Sequence, residues 1–165
     1  MPDKEELKQA RSKAFRYLSY RDRSRHEVEV HLKQKGFSAP VVRDTLEYLR
    51  RLNYVNDERF ALAWGRARIE TRHLGANRLR YELTAKGLDR DLVDKALSSL
   101  FDDIDEFALA QSCAKKKLLT LKGIAPEKKR QRLAQFLQRK GFHSDTVYKI
   151  LADIAPYQNN QESAL

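Results

Sequence analysis

Two runs of positively charged side chains are the residues of this sequence whose types and spacing suggest chemistry. Six arginines lie between positions 59 and 80 with a single acid, Glu70, and eight bases lie between positions 115 and 132 with only Glu127. Arginine makes paired hydrogen bonds with phosphate or carboxylate, and a cluster of cations attracts such groups from a distance. The runs predict binding of a polyanion or an acidic surface, although a single such run is as often a solvated helix face.

No pattern typical of a catalytic or metal site accompanies these cations. The four histidines are scattered, and the sequence contains no His-x-x-x-His, Cys-x-x-Cys, phosphate-loop or Gly-x-Ser-x-Gly motif. The acidic cluster at residues 102–106 is better explained by acids near a helix N-terminus than by a metal site. Cys113 falls on an apolar helix face, so we interpret it as a small buried side chain. We expect a protein that is not an enzyme and uses no cofactor or metal.

The composition limits the size and the location of the protein. The 165 residues include 33 Lys and Arg against 23 Asp and Glu, a formal net charge of +10, and the length suits one ordinary domain or a few very small ones. One cysteine excludes an internal disulfide and fits a reducing compartment. The longest stretches without a charged side chain run eight residues, whereas a membrane span needs about 20 apolar residues. We expect a cytoplasmic protein with no membrane partner.

A short segment that ends in Lys-Gly and an apolar residue occurs three times. It lies at residues 32–37, 83–88 and 137–142, and its glycines are 51 and 54 residues apart. A period of about 50 residues indicates tandem structural repeats. We therefore predict a first repeat at 1–53, a second at 54–104 and a third at 105–155, followed by a flexible tail at 156–165. The glycines, predicted as structural turn residues, are Gly36, Gly87 and Gly141.

Each repeat contains three segments with helical periodicity, and no segment alternates as a half-buried strand does. Lys-Gly is typical of a helix C-terminus, because glycine adopts the left-handed conformation easily and lysine suits the negative end of the helix dipole. Ser24 and Glu27 have capping-box spacing, which predicts a helix over 25–35. The N-caps predicted for the third helices are Ser38, Asp89 and Ser144. The sequence predicts an all-α fold of about nine helices, in three tandem three-helix repeats resembling helix-turn-helix units.

Three functions without catalysis remain open on these grounds. One is direct DNA binding by tandem helix-turn-helix units. In such units the third helix enters the major groove, but the third helices here are not the basic ones. The sequence therefore suits only non-specific contact with phosphates. Another is a helical-repeat adaptor that binds a polymeric partner through repeated contacts. The last is a structural or ribosome-associated basic protein. The residues favour the first two functions and do not decide between them.

The motifs of the first two repeats resemble those of a known family. Residues 57–61, Arg68 and residues 75–88 are similar to the signature of the bacterial RecX family, and residues 24–28 are similar to that family's first-repeat motif. The similarity covers about residues 10 to 155 and keeps the order and spacing of all three repeats. On this basis the sequence resembles a member of the RecX family.

The resemblance implies a negative regulator of RecA recombinase. RecX proteins bind the RecA–DNA filament in its helical groove and restrain strand exchange, ATP hydrolysis and co-protease action in DNA repair and the SOS response. The resemblance also implies an elongated, curved arrangement of the repeats. The expected partners are the RecA filament and single- and double-stranded DNA bound weakly or through the filament, and we expect a monomer. The alternative is a tandem helix-turn-helix protein that binds DNA non-specifically through its basic surface.

The contact surface is predicted from the two cation runs and from positions that match the family pattern. The predicted filament- or nucleic-acid-binding residues are Arg25, Arg59, Arg66, Arg68, Arg72, Arg78, Arg80, Lys115, Lys116, Lys117, Lys128, Lys129, Arg130 and Arg132. The opposing hypothesis for the arginines of the first run is an ion pair inside the protein, with Glu70, Glu82 or the acids at 89–94.

Overall fold

Nine α-helices and no strand make up residues 3–162, the part of the chain that the computed structural model describes. This confirms the predicted all-α fold. The helices are α1 (Lys4–Leu18), α2 (Arg25–Gln34), α3 (Ala39–Arg51), α4 (Asp57–Arg72), α5 (Ala76–Ala85), α6 (Arg90–Asp102), α7 (Glu106–Leu119), α8 (Pro126–Lys140) and α9 (Ser144–Glu162). Among these described helices, none is long and apolar enough to cross a membrane.

The chain packs as two compact units, and α4 begins in one and ends in the other. The first unit comprises residues 1–64 and 83–93, and the second comprises residues 65–82 and 94–165. The repeat boundaries predicted near residues 53 and 104 stay a prediction. Helix α9 reaches Glu162, and the mobility predicted for residues 156–165 stays a prediction too, with residues 163–165 outside the described part.

The first and third helix trios each surround an apolar core. In the first unit α1, α2 and α3 pack on one another, and the buried side chains are Ala10, Ala14, Val28, Leu32, Val41, Val42, Leu46, Leu49 and Val55. In the second unit α7, α8 and α9 do the same, around Ala110, Cys113, Ala114, Leu133, Leu137, Phe142, Val147 and Ile150. Burial of each large aliphatic side chain contributes about 1.5–3 kcal/mol, so these cores are what holds each trio together.

Three of the four predicted N-cap residues occupy that position. Ser24 and Glu27 form a complete capping box on α2, and Asp89 accepts a hydrogen bond from the Leu92 N–H at 2.9 Å. Ser38 occupies the N-cap of α3, but its side chain makes no capping hydrogen bond. The prediction for Ser144 was wrong by one residue: α9 begins at Ser144 itself, and the carbonyl before it, of His143, accepts the first helical hydrogen bond.

In the first unit, the turn after α5 packs against the N-terminus of α2. The Ser24 hydroxyl donates to the Lys86 carbonyl oxygen at 2.6 Å, and the Arg25 N–H donates to Asp57 Oδ1 at 2.7 Å. The first N–H groups of a helix have no partner within the helix, and a buried N–H without one is costly. Lys86 and Asp57, which come from the next repeat, therefore accept hydrogen bonds from the N-terminus of α2. We call this arrangement the first repeat joint.

The same arrangement recurs in the second unit, where the turn after α8 packs against the N-terminus of α5. The N–H groups of residues 75–77 donate, in order, to the Lys140 carbonyl oxygen at 2.8 Å, to Glu106 Oε1 at 3.1 Å and to the Gly141 carbonyl oxygen at 2.9 Å. In both joints the acid is the first residue of the next long helix, Asp57 of α4 in the first joint and Glu106 of α7 in the second. We call this arrangement the second repeat joint. Two of the three copies of the repeated sequence motif, those at residues 83–88 and 137–142, thus connect successive repeats.

Glu27 is the ionic centre of the first joint. Its Oε1 lies 2.7 Å from Lys86 Nζ and 2.7 Å from Arg21 Nη2, and its side chain is 13% exposed. Burial raises the pKa of Glu27, but the hydrogen bonds from Arg21 and Lys86 outweigh it and lower the pKa from 4.5 to about 2. The folded state therefore favours the ionised carboxylate.

Glu27→Gln is expected to lower the free energy of unfolding at pH 7 and to flatten its acid dependence. Because the folded-state pKa is the lower one, the ionised group stabilises the fold above pH 4.5 and loses that effect as the pH falls toward 2. Each pKa unit corresponds to about 1.4 kcal/mol, and screening by residual solvent reduces the expected loss to about 2 kcal/mol. Thermal unfolding between pH 7 and pH 2 measures it, with the exposed Glu47→Gln as control. Parallel curves for wild type and Glu27→Gln would contradict the assignment.

Candidate functional site

A groove of about 770 Å³ in the second unit gathers positively charged side chains from four helices. Its cationic lining residues are Arg72, Arg78, Lys116, Lys117, Arg139 and Lys140. One carboxylate, Glu82, also lines it, together with Thr71, His73, Leu74, Cys113, Thr120 and Phe136. A concave surface with this charge suits an extended anionic chain or an acidic protein segment. We call it the basic groove.

The helix ends explain how these cations come together. Arg72 is in the last turn of α4, Lys116 and Lys117 are in the last turn of α7, and Arg139 and Lys140 are in the last turn of α8. A helix C-terminus carries about half a negative charge, which stabilises a cation placed there. Three such ends offset about 1.5 charges and Glu82 offsets one more, fewer than the six cations supply, so the groove keeps a net positive charge.

Two lysines of the groove contact the ring of Phe136. The ammonium groups of Lys117 and Lys140 lie 5.4 and 5.6 Å from the centre of the Phe136 ring, which is the range of cation–π contact. Lys140 Nζ also donates to the Arg72 carbonyl oxygen at 2.6 Å. Lys140 is thus held by the protein, whereas Arg72, Lys116 and Arg139 are exposed and free to meet a ligand.

Cys113 lies at the edge of the groove, where its surroundings favour the neutral thiol. It is a buried free thiol, and burial raises its pKa. Since the thiolate is the reactive form, the thiol stays neutral near pH 7. Within residues 3–162, no group of three or more His, Cys, Asp and Glu side chains could hold a metal ion.

Three predicted arginines of the first run form ion pairs within the second unit. Arg68 Nε lies 3.0 Å from Glu82 Oε2, and Arg78 Nε lies 3.6 Å from Glu82 Oε1. Arg80 pairs with Asp94. Arg68 is the most buried of the three, with a side chain 24% exposed, and it connects α4 to α5. The opposing hypothesis of internal pairing therefore describes Arg68 best, while Arg78 and Arg80 remain about half exposed.

The other predicted residues lie outside the groove lining. Arg25 and Arg59 belong to the first unit, where Arg25 lies 3.8 Å from Glu29 and Arg59 is exposed. In the second unit Arg66 is exposed on α4, and Lys115 lines a separate cavity of about 340 Å³. The remaining predicted cations, all in the first half of α8, are Lys128, Lys129, Arg130 and Arg132.

Of the predicted set, the groove brings together Arg72, Arg78, Lys116 and Lys117, and it adds two residues that the sequence analysis missed. Arg139 and Lys140 follow the end of the second cation run and precede Gly141. Basic residues before a turn glycine are explained by the helix C-terminus that they occupy. The sequence analysis therefore assigned Arg139 and Lys140 no role in binding. The signal that could have found them is that the last turns of α7 and α8 both carry adjacent basic residues.

Three family models match the chain in order. They are those of the RecX first three-helix domain at residues 10–49, the RecX second three-helix domain at residues 56–97 and the RecX third three-helix domain at residues 103–151. The matched ranges contain the two repeat joints and the whole groove lining. The turn glycines Gly36, Gly87 and Gly141 fall one in each matched domain.

Two relatives show the extent of the similarity. The chain is 36% identical over 159 residues to "Regulatory protein RecX" of Bacillus subtilis, which covers 96% of this chain and 60% of the relative. It is 34% identical over 149 residues to the protein of the same name from Prosthecochloris aestuarii, covering 90% and 95%. The chain thus spans about three fifths of the length of the Bacillus relative and nearly all of the Prosthecochloris one.

Two solved structures have the same fold. The crystal structure of RecX from Lactobacillus salivarius superposes with a TM-score of 0.81 at 24% identity, covering 92% of this chain and 97% of that one. A second crystal structure, of regulatory protein RecX, superposes with a TM-score of 0.79 at 27% identity, covering 90% and 72%. At 24% identity, the match to the Lactobacillus salivarius structure establishes a shared fold and nothing more.

Proposed function

Because the chain belongs to the RecX family of regulatory proteins, we propose that it binds the filament that RecA recombinase forms on DNA and restrains that filament's activities. The activities are strand exchange, ATP hydrolysis and co-protease action, in DNA repair and the SOS response. The observation that carries the proposal is the ordered match of all three RecX domains over residues 10–151. We further propose that the protein acts as a monomer in the cytoplasm.

The charge of the molecule supports a filament partner. The chain has a net charge of +10, and its basic groove concentrates six cations on one concave surface. A recombinase filament offers DNA phosphates and protein carboxylates together along a helical groove, and arginine binds both groups with paired hydrogen bonds. The basic groove is therefore the proposed centre of the contact surface. Arg66 on α4 and the predicted cations of α8 would extend it.

Non-specific DNA binding is a second candidate that the basic groove also favours. The cations of the groove come from α4, α5, α7 and α8, and α6, a third helix of a repeat, carries Arg90 and Lys95 against Asp91, Asp94 and Asp102. Such an arrangement suits phosphate contact without base reading. Binding of this kind would weaken steeply with salt and would not depend on a recombinase.

Binding to three targets tests the proposed function against this alternative. The full chain is titrated with naked single-stranded DNA, with RecA alone and with the assembled RecA–DNA filament, each at 50 and about 200 mM salt. We expect the filament to bind at least tenfold more tightly than either component, and to keep most of that preference at the higher salt. Equal affinity for naked DNA and filament, with the same steep salt dependence, would establish plain DNA binding instead.

A further inference from the structure

Three side chains of the first unit stack on one another and orient a guanidinium group. The Tyr17 ring of α1 lies parallel to the His31 ring of α2, with 4.0 Å between the ring centres and 2° between the planes. The guanidinium carbon of Arg23, in the loop between these helices, lies 4.0 Å from the centre of the same tyrosine ring, which is within the range of cation–π contact. The stack therefore orients Arg23 before any ligand binds.

The Arg23 guanidinium makes no hydrogen bond within residues 3–162. Its Nη1 lies 4.0 Å from Glu27 Oε1, which is too far for a hydrogen bond. Glu27 is itself paired at 2.7 Å with both Arg21 and Lys86. The Nε atom of Arg23 is buried and likewise has no partner among the described residues. The described part of the protein thus holds this arginine through the tyrosine ring and leaves its N–H donors unused.

Two lysines add positive charge beside the stack. Lys13 lies one helical turn before Tyr17 on α1, and Lys35 is the C-cap residue of α2, one turn after His31. Residues at this spacing are neighbours on a helix surface. Both lysines are exposed, and neither has an ion pair within residues 3–162. We call Lys13, Arg23, His31 and Lys35 the cationic patch.

Acids offset little of the charge of this patch. Burial lowers the pKa of His31, and the three cations of the patch lower it further. Of the nearby acids, Glu27 has two cationic partners of its own, and Glu6 accepts a hydrogen bond from the Ser38 N–H at 3.3 Å. Asp22 is exposed in the loop. Three cations against one exposed acid leave the patch with a net positive charge.

We propose that the cationic patch binds phosphates of a DNA strand, as an anion site separate from the basic groove. The patch belongs to the first unit and the groove to the second. The inference rests on the proposed function for the source of the strand, which is the DNA of the RecA filament. Two such sites on one chain bind a polymer more tightly than either site alone.

The chemistry of the patch favours phosphate over an acidic protein segment. An oriented guanidinium offers paired N–H donors to phosphate oxygens, and the two lysines can neutralise further phosphates as point charges. A DNA strand carries a negative charge at every nucleotide, so it can meet cations that are spread over two helices and a loop. An acidic segment would need carboxylates at matching positions.

Lys13→Ala/Lys35→Ala in the full chain tests the site with naked single-stranded DNA. Each lost phosphate contact reduces the slope of log affinity against log salt by about 0.7. We therefore expect the slope to fall by about 1.4 and the affinity at about 50 mM salt to weaken about tenfold. The matched control is Lys4→Ala/Lys8→Ala, which removes two exposed lysines of α1 that helical periodicity places opposite Lys13. It is expected to keep the wild-type slope and to stay within about threefold in affinity.

Two further measurements locate the bound strand. Tyr17→Leu removes the ring that orients Arg23 without changing the net charge, so we expect single-stranded DNA to bind about threefold more weakly. Tyr17→Phe keeps the ring and should bind as wild type does, and thermal unfolding checks both variants. In wild type, phosphates beside the imidazole should raise the pKa of His31 toward its ordinary value, which NMR titration with and without the DNA measures.

The outcomes separate this inference from the proposed function. Equal DNA affinity and salt slope for the two lysine variants, with an unchanged pKa of His31, would overturn the inference; the proposed function stands if wild type still prefers the filament. If Lys13→Ala/Lys35→Ala loses affinity for the filament but keeps it for naked DNA, the patch binds an acidic protein surface, and the inference is again overturned. If wild type shows no preference for the filament while this variant loses DNA affinity, the proposed function fails and the phosphate site stands.

Discussion

Replacing Gly141 with alanine is expected to lower the free energy of unfolding of the second unit by about 3–4 kcal/mol. Gly141 has a φ of +88°, and a residue with a Cβ in that conformation costs about 1–2 kcal/mol. A Cβ there would also overlap the backbone nitrogen of Arg78. The turn must then move away from α5, which weakens the hydrogen bonds from Gly75 and Asn77, worth about 1 kcal/mol each.

Gly36→Ala is the matched control for this prediction. Gly36 has the same φ, but the position of its Cβ is open. Only the conformational cost applies, so we expect a loss of about 1–2 kcal/mol. Urea unfolding followed by circular dichroism compares the two variants, and hydrogen exchange of the Gly75 and Asn77 amides reports on the joint directly. Equal losses for both variants, with those amides still protected, would show that the second joint does not stabilise the unit.

The helix ends could be predicted from the sequence because local chemistry determines them. The capping box at Ser24 and Glu27 and the Lys-Gly pair at residue 36 fixed both ends of α2 to within one residue. Ser144, by contrast, was predicted as the N-cap of α9 and is its first residue. An error of one residue arises where neighbouring residues could each serve as the N-cap.

The repeat joints could not be predicted from the sequence. Ser24 was interpreted as a capping residue only, yet its hydroxyl also donates to Lys86, 62 residues away. Gly141 was predicted as a turn residue only, yet its carbonyl oxygen also accepts a hydrogen bond from the Asn77 N–H. Each local role explained the residue completely, so nothing in the sequence required a second partner. Only the packing of successive repeats shows that one motif docks onto another.

The basic groove was predictable in part. The cation runs led to Lys116, Lys117 and Arg72, because charge density is visible in the sequence. Arg68 was predicted as a contact residue but lies in a half-buried pair with Glu82, a partner 14 residues away on the next helix. A contact role for Arg68 stays a prediction. Its removal would also disturb the packing of α5, so it is a poor test residue.

The basic groove is best tested through cations that the fold does not need. Arg72, Lys116 and Arg139 line the groove, are exposed and belong to different helices. We expect Arg72→Ala/Lys116→Ala/Arg139→Ala to weaken filament binding about thirtyfold. An exposed ionic contact is worth on the order of 0.5–1 kcal/mol, so three of them contribute about 2 kcal/mol, which corresponds to that factor.

The matched control removes three exposed cations outside the groove. Arg43→Ala/Lys95→Ala/Lys149→Ala gives the same loss of net charge, and all three residues are exposed. If long-range attraction alone drives binding, both triple variants should weaken it equally. If the groove makes the contact, the control should stay within about threefold of wild type. Thermal unfolding of both variants checks that neither change disturbs the fold.

The most direct measurement of the central claim is the affinity of these two triple variants for the assembled RecA–DNA filament. The claim is that this protein regulates the filament by placing the cations of one concave surface against it. It predicts a loss of about thirtyfold for the groove variant, beside a nearly unchanged control. Equal affinities for the two variants, with both proteins folded, would contradict it.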